Sequence, residues 1–206
     1  MDQRHLILDV DGVLLDFVAG FADFVVDLGH ELAISPSESR DYDLGDLLPG
    51  LPLEERRSLF NAFTASPDFA TLTPLSGACE AIDCIKAIEP QLRIVALTAI
   101  GLSPEVQAMR RANLRIFNLD GIEFAPFGGC KAQQLAQFAP GSVFIDDLQK
   151  NVDAGLAAGH EAFLFRQPHN AAFVHERVLA DWEDALERAL LLLRSRAEVD
   201  FPRLVL

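Results

Sequence analysis

Asp9, Asp11 and Asp16 fall within eight positions in LILDVDGVLLDF (residues 6–17), where an apolar run ends in carboxylates around Gly12. One aspartate at a strand end is ordinary turn chemistry. Two that flank a single residue hold like charges close together, which raises a pKa or costs stability unless a cation lies between them. The same pattern recurs where SVFI (142–145) runs into Asp146 and Asp147, and a third apolar run, LRIVAL (92–97), ends at Thr98. Four carboxylates and a hydroxyl in one place would be a hard oxygen donor set. Such a set suits Mg²⁺, which is held by one or two carboxylates and completes its shell with water and phosphate oxygens. Lys86, Lys131 and Lys150 are the only lysines, so the position of each matters.

The elements that would bring these groups together are legible as apolar runs without polar alternation, the pattern of strands covered on both faces. They are 5–10, 92–97, 142–145 and 162–165, with a weaker run near 122–124. Helical periodicity fills the intervals at 77–88, 103–113, 131–138 and 151–158, and an amphipathic helix spans about 182–196. Ser103-Pro104 is a helix start, and Gly159 sits at a helix C-terminus. Strands alternating with helices predict a doubly wound parallel α/β sheet. Ligands bind such sheets at the carboxyl ends of the strands, where Asp9, Asp11, Thr98, Asp146 and Asp147 all fall. Residues 17–74 break the rhythm with an aromatic-rich helix, a loop-like stretch and a second helix near 53–65. They read as a small helical insertion, so that 1–16 and 75–206 make one α/β core.

A chain of 206 residues, half of them hydrophobic, fills one domain with a sizeable core. The formal net charge of −14 speaks against a nucleic-acid polymer or an anionic membrane as partner. A small anion still binds where a local cation reverses the sign. No run is long enough to cross a bilayer, and MDQRHLILDVDG lacks the charged and apolar regions of a signal peptide. Cys79, Cys84 and Cys130 are odd in number and lack metal-ligand spacing, which predicts free thiols in a reducing, cytoplasmic setting. His5, His30, His160, His169 and His175 give no zinc pattern.

DVDGV at 9–13, the strand ending in Thr98, the isolated Lys131 and IDD at 145–147 resemble, in order, the four motifs of the haloacid dehalogenase-like phosphohydrolase superfamily. Asn151, four residues after Asp147, fits as well, and the resemblance spans roughly 5–165. It implies a Rossmann-like core with a helical cap (17–74) inserted after the first strand. It also implies Mg²⁺ as cofactor and a small phosphorylated metabolite as partner. Asp9 would be the nucleophile and a metal ligand. Asp11 would be the general acid and base, with its main-chain carbonyl on the metal. Thr98, the Ala99 N–H and Lys131 would hold the phosphate, and Asp147 would bind the metal, with Asp146 second or acting through water.

A weaker resemblance, in DVDGVLLDF and SPDFATLTPLSGA (66–78), is to 5′(3′)-deoxyribonucleotidases and points to a nucleoside monophosphate. Ala99 stands here where a serine is expected in those enzymes. A sugar-phosphate phosphatase or mutase, or a binding module without turnover, is the alternative. Read without the resemblance, Thr98 is a strand-end threonine, Lys131 a helix-start surface lysine and one of Asp146 and Asp147 a helix cap. Asp16 reads as an N-cap. The Phe17, Phe21 and Phe24 stripe reads as packing within the insertion, with Phe17 alternatively lining the site.

Overall fold

The unalternating apolar runs become strands of one sheet in a computed structural model, which describes residues 3–173 and 177–197. The strands are β1 (His5–Leu8), β2 (Arg93–Thr98), β3 (Gly121–Phe124), β4 (Val143–Asp146), β5 (Glu161–Phe165) and β6 (Val178–Leu179). They pair in the order β3-β2-β1-β4-β5-β6, every pair parallel. After β1 the chain moves outward through β2 and β3, then crosses to β4 on the other side. The direction of winding therefore reverses at β1 and β4, the place where such sheets open a crevice.

Alternate residues of each strand serve two cores. Leu6, Leu8, Ile94, Ala96, Val143 and Ile145 pack in one cluster with α3 (Ala78–Ile88) and α7 (Trp182–Ala197) through Ala81, Ile82, Ile85, Trp182, Ala185 and Ala189. Ile7, Leu97, Phe144, Ala162 and Leu164 pack in the other with Leu135 of α5 (Ala132–Leu135) and Val152 of α6 (Gln149–Ala157). Both faces of the strands are thus covered by apolar contacts, which is why they read as continuous apolar runs. No described helix is long and apolar enough to cross a membrane.

Residues 17–74 contain no described strand and hold α1 (Phe17–Asp27) and α2 (Leu53–Thr64). Asp16 caps α1 by accepting the Ala19 N–H at 3.0 Å, as its position before the aromatic helix predicts. Phe17 and Phe21 meet Phe60 and Phe63 of α2 with ring centroids 4.5–6.1 Å apart, and Phe63 also meets Phe69. The stripe is therefore packing between helices, and Phe17 belongs to it. Where this segment leaves and rejoins the sheet, Asp16 N–H donates to Thr73 O and Leu75 N–H to Leu14 O, both at 2.9 Å.

Two expectations change. The helix predicted over 131–138 is only Ala132–Leu135, after which Gln137 and Phe138 close tighter turns on Gln134 and Leu135. Pro140 disfavours helical backbone at the residue before it, so the helix cannot continue. β6 carries two residues, too few for any periodicity to register. His175 lies outside the described residues.

Candidate active site

Leu8 pairs with Ile145 in the register of β1 and β4, and the Asp9 N–H continues the ladder to Ile145 O at 2.9 Å. The next residue of each strand end is an aspartate, so Asp9 and Asp146 arrive side by side. Gly12 makes the turn after β1 with φ +78°, a left-handed conformation that glycine adopts without steric cost. A Cβ at that position would collide with Asp147 Oδ2. The glycine among the carboxylates thus has two reasons: it turns the backbone, and it gives Asp147 room.

Lys131, at the start of α5, lies 2.5 Å from Asp9 Oδ1 and 2.8 Å from Asp146 Oδ2 and is 1% exposed. It is no surface lysine. Asp9 Oδ1 also accepts the Val10 N–H at 2.7 Å, whereas the other carboxylate oxygen has no hydrogen-bond partner among the described residues. Asp146 is fully buried and saturated: it accepts from Lys131, from the Leu148 N–H at 2.8 Å and from Asn151 Nδ2 at 3.0 and 3.1 Å. Asn151 acts here as the orienting partner of Asp146. Asp147 is less engaged, with His169 Nε2 at 3.3 Å from its Oδ2. Its main-chain carbonyl accepts from Asn170 Nδ2 at 2.9 Å.

Asp9, Asp146 and Asp147 each offer an oxygen within 4.8 Å of the others. Burial, then the charge of Asp146, pushes the Asp9 carboxyl up to about 7 despite Lys131. Burial, followed by Asp9 and Asp146, raises Asp147 well above the carboxylate range. Burial opposes the charge of Lys131, but Asp146 and Asp9 together hold it well above an ordinary lysine. Three crowded carboxylates answered by one ammonium leave an excess of negative charge. A divalent cation that prefers hard oxygen ligands fits that donor set.

Thr98 ends β2 with no exposure, and its hydroxyl has no partner among the described residues. A buried hydroxyl normally has a partner, so this one is free to bond a bound group or a water. Ala99 follows it, its carbonyl accepting from the Gly128 N–H at 3.3 Å. Asp11 is not part of the three-carboxylate cluster. Its two oxygens accept from Arg110 Nη2 at 2.6 and 2.7 Å.

Three residues near the site carry no signal in the sequence pattern: Arg110, Tyr42 and His169. Tyr42 comes from the segment between α1 and α2, and its ring meets His169 edge-on at 5.7 Å. Tyr42 is largely exposed, and partial desolvation with the charge of Asp147, Asp9, Asp11 and Asp146 raises its pKa to about 12. Burial lowers the pKa of His169, favouring its neutral imidazole.

The fold is that of solved haloacid dehalogenase-like hydrolases. Protein Tyrosine Kinase A of Mycobacterium tuberculosis matches with TM-score 0.64 at 18% identity, over 91% of this chain and 98% of that one. A hydrolase of the family from Deinococcus radiodurans R1, solved with phosphate and sodium bound, matches with TM-score 0.57 at 20% identity, over 92% and 97%. An L-2-haloacid dehalogenase matches with TM-score 0.57 at 15% identity, over 90% and 99%. No protein-family model and no curated protein matches the sequence. The fold thus accommodates more than one reaction, and the choice among them rests on the residues of the site.

Proposed function

We propose that this chain is a Mg²⁺-dependent phosphomonoester hydrolase that works through an aspartyl-phosphate on Asp9. The observation that carries the reading is the state of Asp9: one oxygen is clamped by Lys131 and the Val10 N–H, and the other is left to attack. The phosphorus–oxygen bond to the leaving alcohol breaks as the bond to Asp9 forms. Asp11 gives the alcohol its proton and then takes one from the water that releases inorganic phosphate, splitting one hard step into two. The Thr98 hydroxyl, the Ala99 N–H and Lys131 bind the phosphate oxygens. Asp9, Asp147 and the Asp11 main-chain carbonyl would hold Mg²⁺, with the saturated Asp146 behind them. When bound, the ion offsets the carboxylate charge and draws electron density from the phosphate.

In this reading 17–74 is a cap over a core of 1–16 and 75–206, and a small phosphorylated metabolite such as a nucleoside monophosphate or sugar phosphate enters between them. Halide displacement would also use Asp9 as nucleophile, but it would leave Asp11 and the Asp146–Asp147 pair without a role.

An aryl phosphate should be hydrolysed with Mg²⁺ present and left intact in a chelator, and a screen of nucleotides, sugar phosphates and phosphorylated acids should find the physiological class. Undiminished turnover after chelation overturns the metal assignment. Turnover of a 2-haloacid but of no phosphate ester overturns the reaction. Tyr42 lies where a leaving group would meet the cap. Tyr42→Ala should therefore raise KM for the best natural substrate by roughly 10-fold, the scale of one pocket contact, while the aryl phosphate changes far less. Equal changes on both substrates would remove Tyr42 from the leaving-group side.

A further inference from the structure

Arg110 belongs to α4 (Pro104–Asn113), is wholly buried, and ends a sequence separation of 99 residues on the carboxylate of Asp11. Its Nη2 serves both Asp11 oxygens, at 2.6 and 2.7 Å. Its Nε and Nη1 have no partner among the described residues. The guanidinium lies 4.3 Å over the ring of Phe69, and Asn113, three residues on, donates to the Phe69 carbonyl at 2.9 Å. Asp11 is thus the one anion that this buried cation touches among the described residues. The Asp11 side chain itself is 29% exposed, so the pair has a dry end and a wet one.

From this geometry we propose that Arg110 is a positioning residue for Asp11, fixing the direction in which the acid–base carboxylate faces. Swinging Asp11 away would leave a buried charge without compensation, and the unpaired Nε and Nη1 offer no second anchor to share the load. The contact also links Asp11 to Phe69, which lies in the turn (Pro67–Thr71) where the helical segment returns to the sheet. The orientation of the acid is therefore set from the same helix that holds this return. A displaced acid–base group loses its contribution while the nucleophile keeps its own, which separates this role from simple packing.

The inference rests on the hydrolase reading above, and the test distinguishes the two. Arg110→Met should lower kcat on an alkyl phosphate by roughly 30- to 100-fold, the scale of a misplaced acid–base group, because that leaving group needs a proton. KM should change little. The burst of phenol from an activated aryl phosphate, which needs no such proton, should slow by less than about 5-fold. Arg110→Lys, which keeps the charge and most of the stem, should recover much of the alkyl rate and serves as the test if the methionine variant does not fold. In an Asp11→Asn background the Arg110 substitution should add almost nothing.

Equal losses on alkyl turnover and aryl burst, or losses that multiply in the Asp11→Asn background, would overturn the proposal and leave Arg110 a packing residue. A wild-type chain inert to every phosphate ester would overturn the function proposed above together with this inference. That result is distinct from an active enzyme whose variants lose both rates alike.

Discussion

Asp9→Asn is expected to abolish phosphatase turnover and, in the absence of divalent metal, to raise the melting temperature at pH 8. The first effect follows from the chemistry: an amide cannot take the phosphoryl group, and no phosphorylated protein should appear by mass spectrometry after rapid mixing. The second follows from the site. Burial and Asp146 raise the Asp9 carboxyl from an ordinary 3.8 to about 7 in the folded chain. Between those values the folded state holds a proton that the unfolded state has lost, so metal-free stability falls as pH rises from about 4 through 7. Asparagine has nothing to ionise and escapes that loss. Even ~1.4 kcal/mol of that loss would make the variant melt about 3–6 °C above the metal-free wild type at pH 8. The two should converge near pH 4, below which Asp9 is protonated in both states, and Mg²⁺ should stabilise the wild type more than the variant. Calorimetry across pH 4–8 with and without the ion checks all three. A wild-type melting temperature that climbs with pH in chelator would show that Asp9 carries no such strain.

The site was legible wherever it stands at a strand end. Asp9, Thr98 and Asp146 finish apolar runs, and a parallel sheet converts that repeated position into proximity. The order β3-β2-β1-β4 makes neighbours of three runs separated by scores of residues. Gly12 was legible as a turn, but its clearance for Asp147 is a tertiary fact. Arg110 was hidden because MRRAN has the look of a basic last turn of a helix, where arginines answer the dipole and face solvent. Only the fold shows that Arg110 turns inward while Arg111 lies over Phe124. Tyr42 is the only tyrosine, which marks it, yet it sits in a stretch without periodicity that offers no way to place it. The resemblance ranks Asp147 ahead of Asp146 as metal ligand, but the residue pattern IDD gives no physical ground for the order, whereas the bonds do. Asp146 is spent on Lys131, Asn151 and the Leu148 N–H, and Asp147 is left nearer the turn at Gly12.

Lys131→Met should move stability in the opposite direction from Asp9→Asn while also stopping catalysis. The ammonium is 1% exposed and stands between Asp9 and Asp146. Its removal leaves two buried carboxylates facing each other, and breaking a buried pair in this way costs about 3–5 kcal/mol. In a domain of this size that is a fall of roughly 10 °C in the metal-free melting temperature. Mg²⁺ should return part of the loss, since it supplies positive charge to the same carboxylates. Turnover should stay down by about 10²–10³-fold even with saturating Mg²⁺, because the ion does not replace a donor aimed at the transferring phosphate. Lys150 is the control: it is exposed on α6, and its alanine variant should change stability by no more than about 0.5 kcal/mol. Steady-state rates and melting curves for both variants, with and without Mg²⁺, separate the two lysines. If saturating Mg²⁺ restored the turnover of Lys131→Met, the lysine would be a structural counter-ion for Asp9 and Asp146, with no part in holding the phosphate.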